Sequence, residues 1–220
     1  MNKKEYFETL KKDLLNSCPL CGHTGWINQT TMCQCLKKLD RYCTLDEAGI
    51  AREFWDINID HWNGSPLVKD SFIDFYNNIE TLYNNNRSLL ILGNPSIDKT
   101  FLGMSLLIKL FDLNRSVFYS SMIDFSRIIK DRISSSSTGE EYHEKYLYKD
   151  VLCLDEIGRE YTPSTGNSFL VTEFGYLLSN RYKNRRPTIL ISDFDENFIN
   201  QKYNSIIPIS LRSSLTVINL

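Results

Sequence analysis

Two groups of residues in this sequence have the types and spacing to do chemistry. The first is Gly93-Asn94-Pro95-Ser96-Ile97-Asp98-Lys99-Thr100. A loop of the form G-x4-G-K-[S/T], set between a strand and a helix, aims backbone N–H groups at phosphate. It also brings a lysine to the β/γ-phosphates and a hydroxyl to Mg²⁺. Gly93, Lys99 and Thr100 match that form, but Asp98 stands where its second glycine belongs. The Cβ of Asp98 restricts a backbone that glycine would leave free, and its carboxylate lies near anionic phosphate. One like-charge pair at 4 Å costs about 1 kcal/mol in bulk water and about 4 kcal/mol at an effective dielectric of 20. Asp98 therefore turns to solvent or pairs with a base. Read alone, the loop fits an ordinary strand-turn-helix equally well.

A second motif favours the phosphate reading. Val151-Leu152-Cys153-Leu154-Asp155-Glu156 is an apolar strand ending in two carboxylates, the Walker B pattern. In that geometry Asp155 holds Mg²⁺ through water, and Glu156 orients or activates the attacking water. Asp150 and Glu160 are expected to be solvated surface charges.

The other group is Cys18-x2-Cys21-x11-Cys33-x-Cys35. Cysteines paired this way in a reducing compartment read as metal ligands before disulfides. Zn²⁺ takes four soft ligands in a tetrahedron, and a CxxC turn supplies two of them. The alternative is four free thiols. With four ligands the zinc would be structural, leaving no open position for chemistry. Cys153 reads as a small core residue, and His61 and His143 have no motif around them.

The elements that must position these groups can be read from apolar spacing. A short helix is expected around Leu36–Arg41, ended by Gly49, with a connector over 50–65 that includes Phe54, Trp55 and Trp62. A helix follows over 72–83. Ser88–Leu92 is a continuous apolar run of the buried parallel-strand kind. Then come a helix from Thr100 to Leu113, a strand at Ser116–Tyr119, a helix from Ile123 to Ile133, and a serine loop over 134–139. Strand 151–154, helix Phe169–Tyr182, strand Thr188–Ser192 and strand Leu215–Leu220 complete the chain. Such alternation predicts an α/β fold, a doubly wound parallel sheet with helices on both faces.

At 220 residues the chain has room for one full domain and a small module. Glycine and proline are too few for a collagen-like or low-complexity chain. Lys plus Arg number 25 against 27 Asp plus Glu, so any nucleic-acid contact must come from a local patch. No apolar run approaches the ~18 residues of a membrane span, and the N-terminus is charged rather than signal-like. The expectation is a cytoplasmic protein with no membrane contact.

Taken together, the motifs resemble the DnaC/IstB-like AAA+ ATPases, the replicative helicase loaders and transposition helpers. Cys18-Pro19-Leu20-Cys21-Gly22-His23-Thr24-Gly25-Trp26 with Cys33-Gln34-Cys35 is similar to the zinc-binding front of phage and Firmicute members. Gly93-Asn94-Pro95 with Lys99-Thr100 resembles their Walker A loop. Leu154-Asp155-Glu156-Ile157-Gly158 resembles Walker B, and Asn180-Arg181-Tyr182 through Ser192 the helix and sensor I strand. The departures are Ser96 and Asp98 in a degenerate Walker A, Asp193 at the sensor I asparagine, and Ser214 at the arginine finger. Arg212, two positions away, is the candidate substitute.

The resemblance implies an AAA+ P-loop sheet over residues 50–220 behind a zinc module at 1–49. It implies zinc on Cys18, Cys21, Cys33 and Cys35. It also implies ATP or ADP with Mg at Gly93, Asn94, Ser96, Asp98, Lys99 and Thr100. Asp155, Glu156, Asp193 and Arg212 would be the catalytic set. The partners implied are a replicative DNA helicase, single-stranded DNA and further copies of the chain. Arg127, Lys130 and Arg132, and Arg181, Lys183, Arg185 and Arg186, are the two candidate DNA-facing clusters; with a net charge of −2 and no aromatics interleaved, a solvated helix face is the preferred reading of each. With three motifs altered together, a non-hydrolysing adaptor of the same fold stands beside the loader, as does a transposition helper.

Overall fold

The computed structural model describes residues 2–28, 30–95, 97–134, 139–160, 169–203 and 214–220. The chain forms two compact units, Met1–Trp55 and Asp56–Leu220.

The first unit opens with α1 (Lys3–Asn16), an element the apolar spacing did not announce. Its start is nonetheless written locally. Asn2 accepts from the Glu5 N–H at 2.9 Å, and Glu5 accepts from the Asn2 N–H at 3.1 Å, a reciprocal capping box. The strands β1 (Trp26–Ile27) and β2 (Thr31–Met32) pair antiparallel, with Trp26 opposite Met32. The helix α2 (Gln34–Glu47) follows, longer than expected. It ends at Gly49, as its sequence predicts. Gly49 takes φ +76°, its N–H reaches Asp46 O at 3.1 Å, and the Ile50 N–H reaches Leu45 O at 3.0 Å. Trp55 closes the unit. It is buried between the rings of Phe7 and Tyr42, and its indole N–H donates to Ile50 O at 2.9 Å.

In the second unit the helix expected over 72–83 starts earlier and breaks at Asn78, giving α3 (Pro66–Asn77) and α4 (Ile79–Asn84). Pro66 sits at the first helical position, where its missing N–H costs nothing. Five strands then form one parallel sheet: β3 (Ser88–Leu92), β4 (Val117–Ser121), β5 (Val151–Asp155), β6 (Thr188–Ser192) and β7 (Leu215–Asn219). Their order is β4-β5-β6-β3-β7. Every residue of β3, β5 and β6 is buried, as continuous apolar runs require.

Alternation along the strands sorts the side chains to two faces. On one face Leu90, Leu92, Leu152, Leu154 and Leu190 pack with α6 (Met122–Ser134) and α8 (Phe169–Lys183). On the other lies α5 (Lys99–Asp112), so close that a Cβ on Gly103 would fall 2.4 Å from Ile191 Cδ1. Two further elements were not foreseen. The helix α7 (Gly139–Tyr142) continues into a π-helical stretch, His143–Tyr148, and α9 (Glu196–Tyr203) precedes the last strand. Of the serine loop, residues 135–138 lie outside the described residues.

Two sequence expectations fail here for one reason, that charge was read as exposure. Arg181 is fully buried, not DNA-facing. Its guanidinium donates to Tyr146 O, Lys149 O and Pro187 O at 2.9 Å, to Asp150 O at 3.2 Å and to Thr188 Oγ1 at 3.0 Å. Burial, then the charge of Arg186, lowers its pKa to about 9. Glu160 is buried too. It pairs with Lys202 at 3.0 Å and accepts from the Tyr203 hydroxyl and the Gly158 N–H. Of the other cationic candidates, Arg186 donates to Leu147 O at 2.6 Å, Arg127 pairs with Asp124 and Arg132 pairs with Glu173.

Candidate phosphate pocket and thiol cluster

The residues expected to act together converge on the C-terminal edge of the sheet. Gly93 follows β3, Asp155 ends β5, Asp193 follows β6, and α5 begins at Lys99. In doubly wound sheets this edge is where ligands bind. A cavity of about 300 Å³ is walled by Pro95, Ile97, Asp98, Lys99, Thr100, Asp155, Glu156, Arg159, Ile191 and Asp193.

Thr100 donates its hydroxyl to Asp155 Oδ2 at 2.6 Å, joining the two motifs directly. The Tyr119 hydroxyl donates to the same oxygen at 3.1 Å. Burial, then the Asp155 charge, raises the Tyr119 pKa and keeps it a donor. The other oxygen of Asp155 accepts from the Glu156 N–H at 2.6 Å. Glu156 itself takes φ +58°, a left-handed conformation that costs a non-glycine residue roughly 1–2 kcal/mol.

Asp98 is exposed, as expected of a carboxylate turned to solvent, and it has a second role that the sequence did not suggest. It is the N-cap of α5, its carboxylate accepting from the Phe101 N–H at 3.0 Å, and φ −74° is ordinary for an L residue. A carboxylate is favourable at a helix N-terminus, and it occupies a donor of the kind that would otherwise meet phosphate. Lys99 is buried, 3% exposed, and its ammonium reaches Asn94 O at 2.8 Å and Asp193 Oδ1 at 2.7 Å.

Asp193 also pairs through Oδ2 with Arg159, which the sequence reading missed. Gly158 turns the chain with φ +100°, and a Cβ there would lie 2.5 Å from the Phe194 ring. That turn carries Arg159 back to Glu156 at 3.4 Å. The signal available was a glycine two residues past the paired carboxylates. Burial raises the Asp193 pKa, but the hydrogen bonds and charges of Lys99 and Arg159 outweigh it, and the net direction is down.

Ser96 and Arg212 lie outside the described residues. Ser214 stands just before β7, at the end of the sheet opposite the pocket. A second cavity of about 380 Å³ shares Ile97 and Asp98 with the pocket and is lined by Trp62 and Phe101, whose ring centroids are 5.7 Å apart.

In the first unit the sulfur atoms of Cys18, Cys21, Cys33 and Cys35 all lie within 4.8 Å of one another. Cys18 and Cys33 are 3.6 Å apart and Cys21 and Cys35 3.7 Å, far beyond the ~2.05 Å of a disulfide. A tetrahedron with Zn–S bonds near 2.3 Å has edges of about 3.8 Å, so the donor set fits zinc. His23 is outside the set, its ring nitrogen 2.9 Å from Leu15 O.

The sheet order, the loop before α5 and the paired carboxylates at the end of β5 define an AAA+ fold. Similar solved structures are replication proteins. The DnaC helicase loader superposes with a TM-score of 0.61 at 16% identity, covering 77% of this chain and 99% of that one. DnaI gives 0.61 at 19%, covering 77% and 94%. DnaA bound to AMPPCP and single-stranded DNA gives 0.54 at 21%, covering 77% of this chain and 51% of its own. No protein-family model and no curated protein matches the sequence. Among the described residues no helix is long and apolar enough to cross a membrane.

Proposed function

We propose that this chain is a helicase-loader-like AAA+ protein that engages a replicative DNA helicase and assists its placement on DNA. The observation that carries the reading is the fold. The superposition on a solved helicase loader takes in 77% of this chain and 99% of that one.

Zinc held by Cys18, Cys21, Cys33 and Cys35 would fix the first unit, and that unit is the partner-facing one. Support comes from Leu20, Trp26 and Met32, large apolar side chains left exposed beside the thiols. ATP or ADP would take the pocket with its phosphates toward Lys99 and its base toward Trp62 and Phe101. Thr100 and Asp155 would hold Mg²⁺, which when bound neutralises β- and γ-phosphate charge. Affinity is weak, because Asp98 and Asp193 already satisfy the helix N-terminus and Lys99.

The same self-pairing favours a second reading, a non-hydrolysing adaptor that keeps the fold for docking. Co-purification with the host's replicative helicase tests the first claim. Retention that depends on Leu20 and Trp26 supports it, and failure to retain that helicase counts against it. Calorimetry separates the two readings. ATP binding lost in Lys99→Ala supports the loader, whereas flat traces for both proteins leave the adaptor.

A further inference from the structure

The Asp193 carboxylate is shared between two cations that are not equivalent. An ammonium has three donors. Those of Lys99 face Asn94 O at 2.8 Å, Ile97 O at 3.5 Å and Asp193 Oδ1 at 2.7 Å. Lys99 is therefore both buried and fully engaged. Arg159 lines the same cavity with its side chain 46% exposed. A guanidinium has five donors, and the described contacts of Arg159 use Nη1 toward Glu156 and Nη2 toward Asp193. Its planar fork suits two-point contact with phosphate oxygens, which the point charge of a lysine does not.

Charge points the same way. The cavity wall carries Asp98, Asp155, Glu156 and Asp193 against Lys99 and Arg159. Without Arg159 four carboxylates would face one cation that is already paired, and a terminal phosphate would meet net repulsion.

We infer that Arg159 recognises the terminal phosphate of a nucleoside triphosphate, and that Asp193 is the internal anion this phosphate displaces. The inference rests on the nucleotide reading above and adds a residue that lies in none of the motifs. A diphosphate lacks the displacing group, so it leaves the Arg159–Asp193 pair intact. The pocket then tells the two nucleotides apart through one side chain of its own chain.

The test is calorimetric titration of the full chain with Mg-AMPPCP and with Mg-ADP. Arg159→Ala should weaken AMPPCP at least tenfold and ADP less than twofold. Arg159→Lys, the milder change, should recover part of the loss, and Asp193→Asn should tighten AMPPCP severalfold by releasing both cations. Equal weakening of both nucleotides in Arg159→Ala, or no change in either, overturns the assignment while leaving nucleotide binding in place. A wild-type protein that binds neither nucleotide removes the nucleotide reading itself, and this inference with it.

Discussion

Lys99 and Asp193 form an ion pair of 2.7 Å in which the lysine is almost completely buried. The partners come from different strand ends, Lys99 from the first residue of α5 beyond β3 and Asp193 from the residue after β6. The pair therefore ties two neighbouring strands together at the edge where the pocket opens. A buried cation without a counter-charge is costly, so Asp193 is a structural partner of Lys99.

The pH dependence follows from the sign of the shift. Burial pushes the Asp193 carboxyl up, but Lys99 and Arg159 hold it below the ordinary carboxylate range. A group depressed on folding contributes its full stability above the unfolded value, near 3.9, and loses it as pH falls through the folded value. Asp193→Asn should be less stable than wild type at pH 7 by about 1–3 kcal/mol. The gap should narrow below about pH 4. Urea denaturation of both proteins from pH 7 to pH 3 measures it. A gap that stays constant over that range would show that charge is not its source.

The legible parts of this molecule were those with local causes. Continuous apolar runs announced β3, β5 and β6, because a strand buried on both faces has no polar alternation to interrupt it. Glycine announced the end of α2, and cysteine spacing announced the thiol cluster. What was hidden depends on long-range pairing. Arg181 looks like any basic residue in a helix's last turn. Its burial is set by carbonyls that the π-helical stretch and the β6 approach bring to it from 31 to 35 residues upstream and from 6 residues downstream. The capping role of Asp98 was hidden because the helix it caps starts one residue earlier than expected, at Lys99. Arg159 enters the pocket only through a turn at Gly158.

Arg181 gives the sharpest structural prediction. All its described contacts are to groups inside the fold, and truncation would leave several carbonyls without a donor. Arg181→Ala should cost about 3–5 kcal/mol, the range for breaking a buried, hydrogen-bonded charge. Arg181→Lys should recover little, since one ammonium cannot reach the same five acceptors. Chemical denaturation reads both. A variant within 0.5 kcal/mol of wild type, as is usual for a surface position, would return Arg181 to the solvent.

Trp62 tests where a base would lie. Its indole N–H is held by Ser65 O at 3.1 Å, and its ring lies in the cavity that adjoins the phosphate pocket. Stacking of a base on an aromatic side chain contributes about 1–3 kcal/mol by alanine substitution. Trp62→Ala should therefore weaken ATP and ADP alike, by about tenfold. This differs from the phosphate-selective loss expected at Arg159. Unchanged affinity for both nucleotides would place the base elsewhere.

The thiol cluster makes the last prediction. Cys21, Cys33 and Cys35 are buried and gather Leu14, Leu15, Ile27 and Leu36 around them. Beyond these, the buried apolar side chains described in the first unit are Tyr42, Leu45, Ala48, Ile50 and Trp55. A core this small is seldom self-sufficient, and a structural metal is one of the usual remedies. Elemental analysis should find one zinc per chain. Zinc binding to a structural site is also folding free energy. Removing the metal with a chelator, or substituting Cys33→Ser, should therefore unfold Met1–Trp55 and leave the second unit's denaturation transition unchanged. Cys153→Ser, a change of thiol deep in β5, controls for cysteine chemistry in general and should leave the zinc content at one. A stoichiometry near zero in protein purified without chelator, with the first unit still folded, would make the four sulfurs a packed thiol core rather than a metal site.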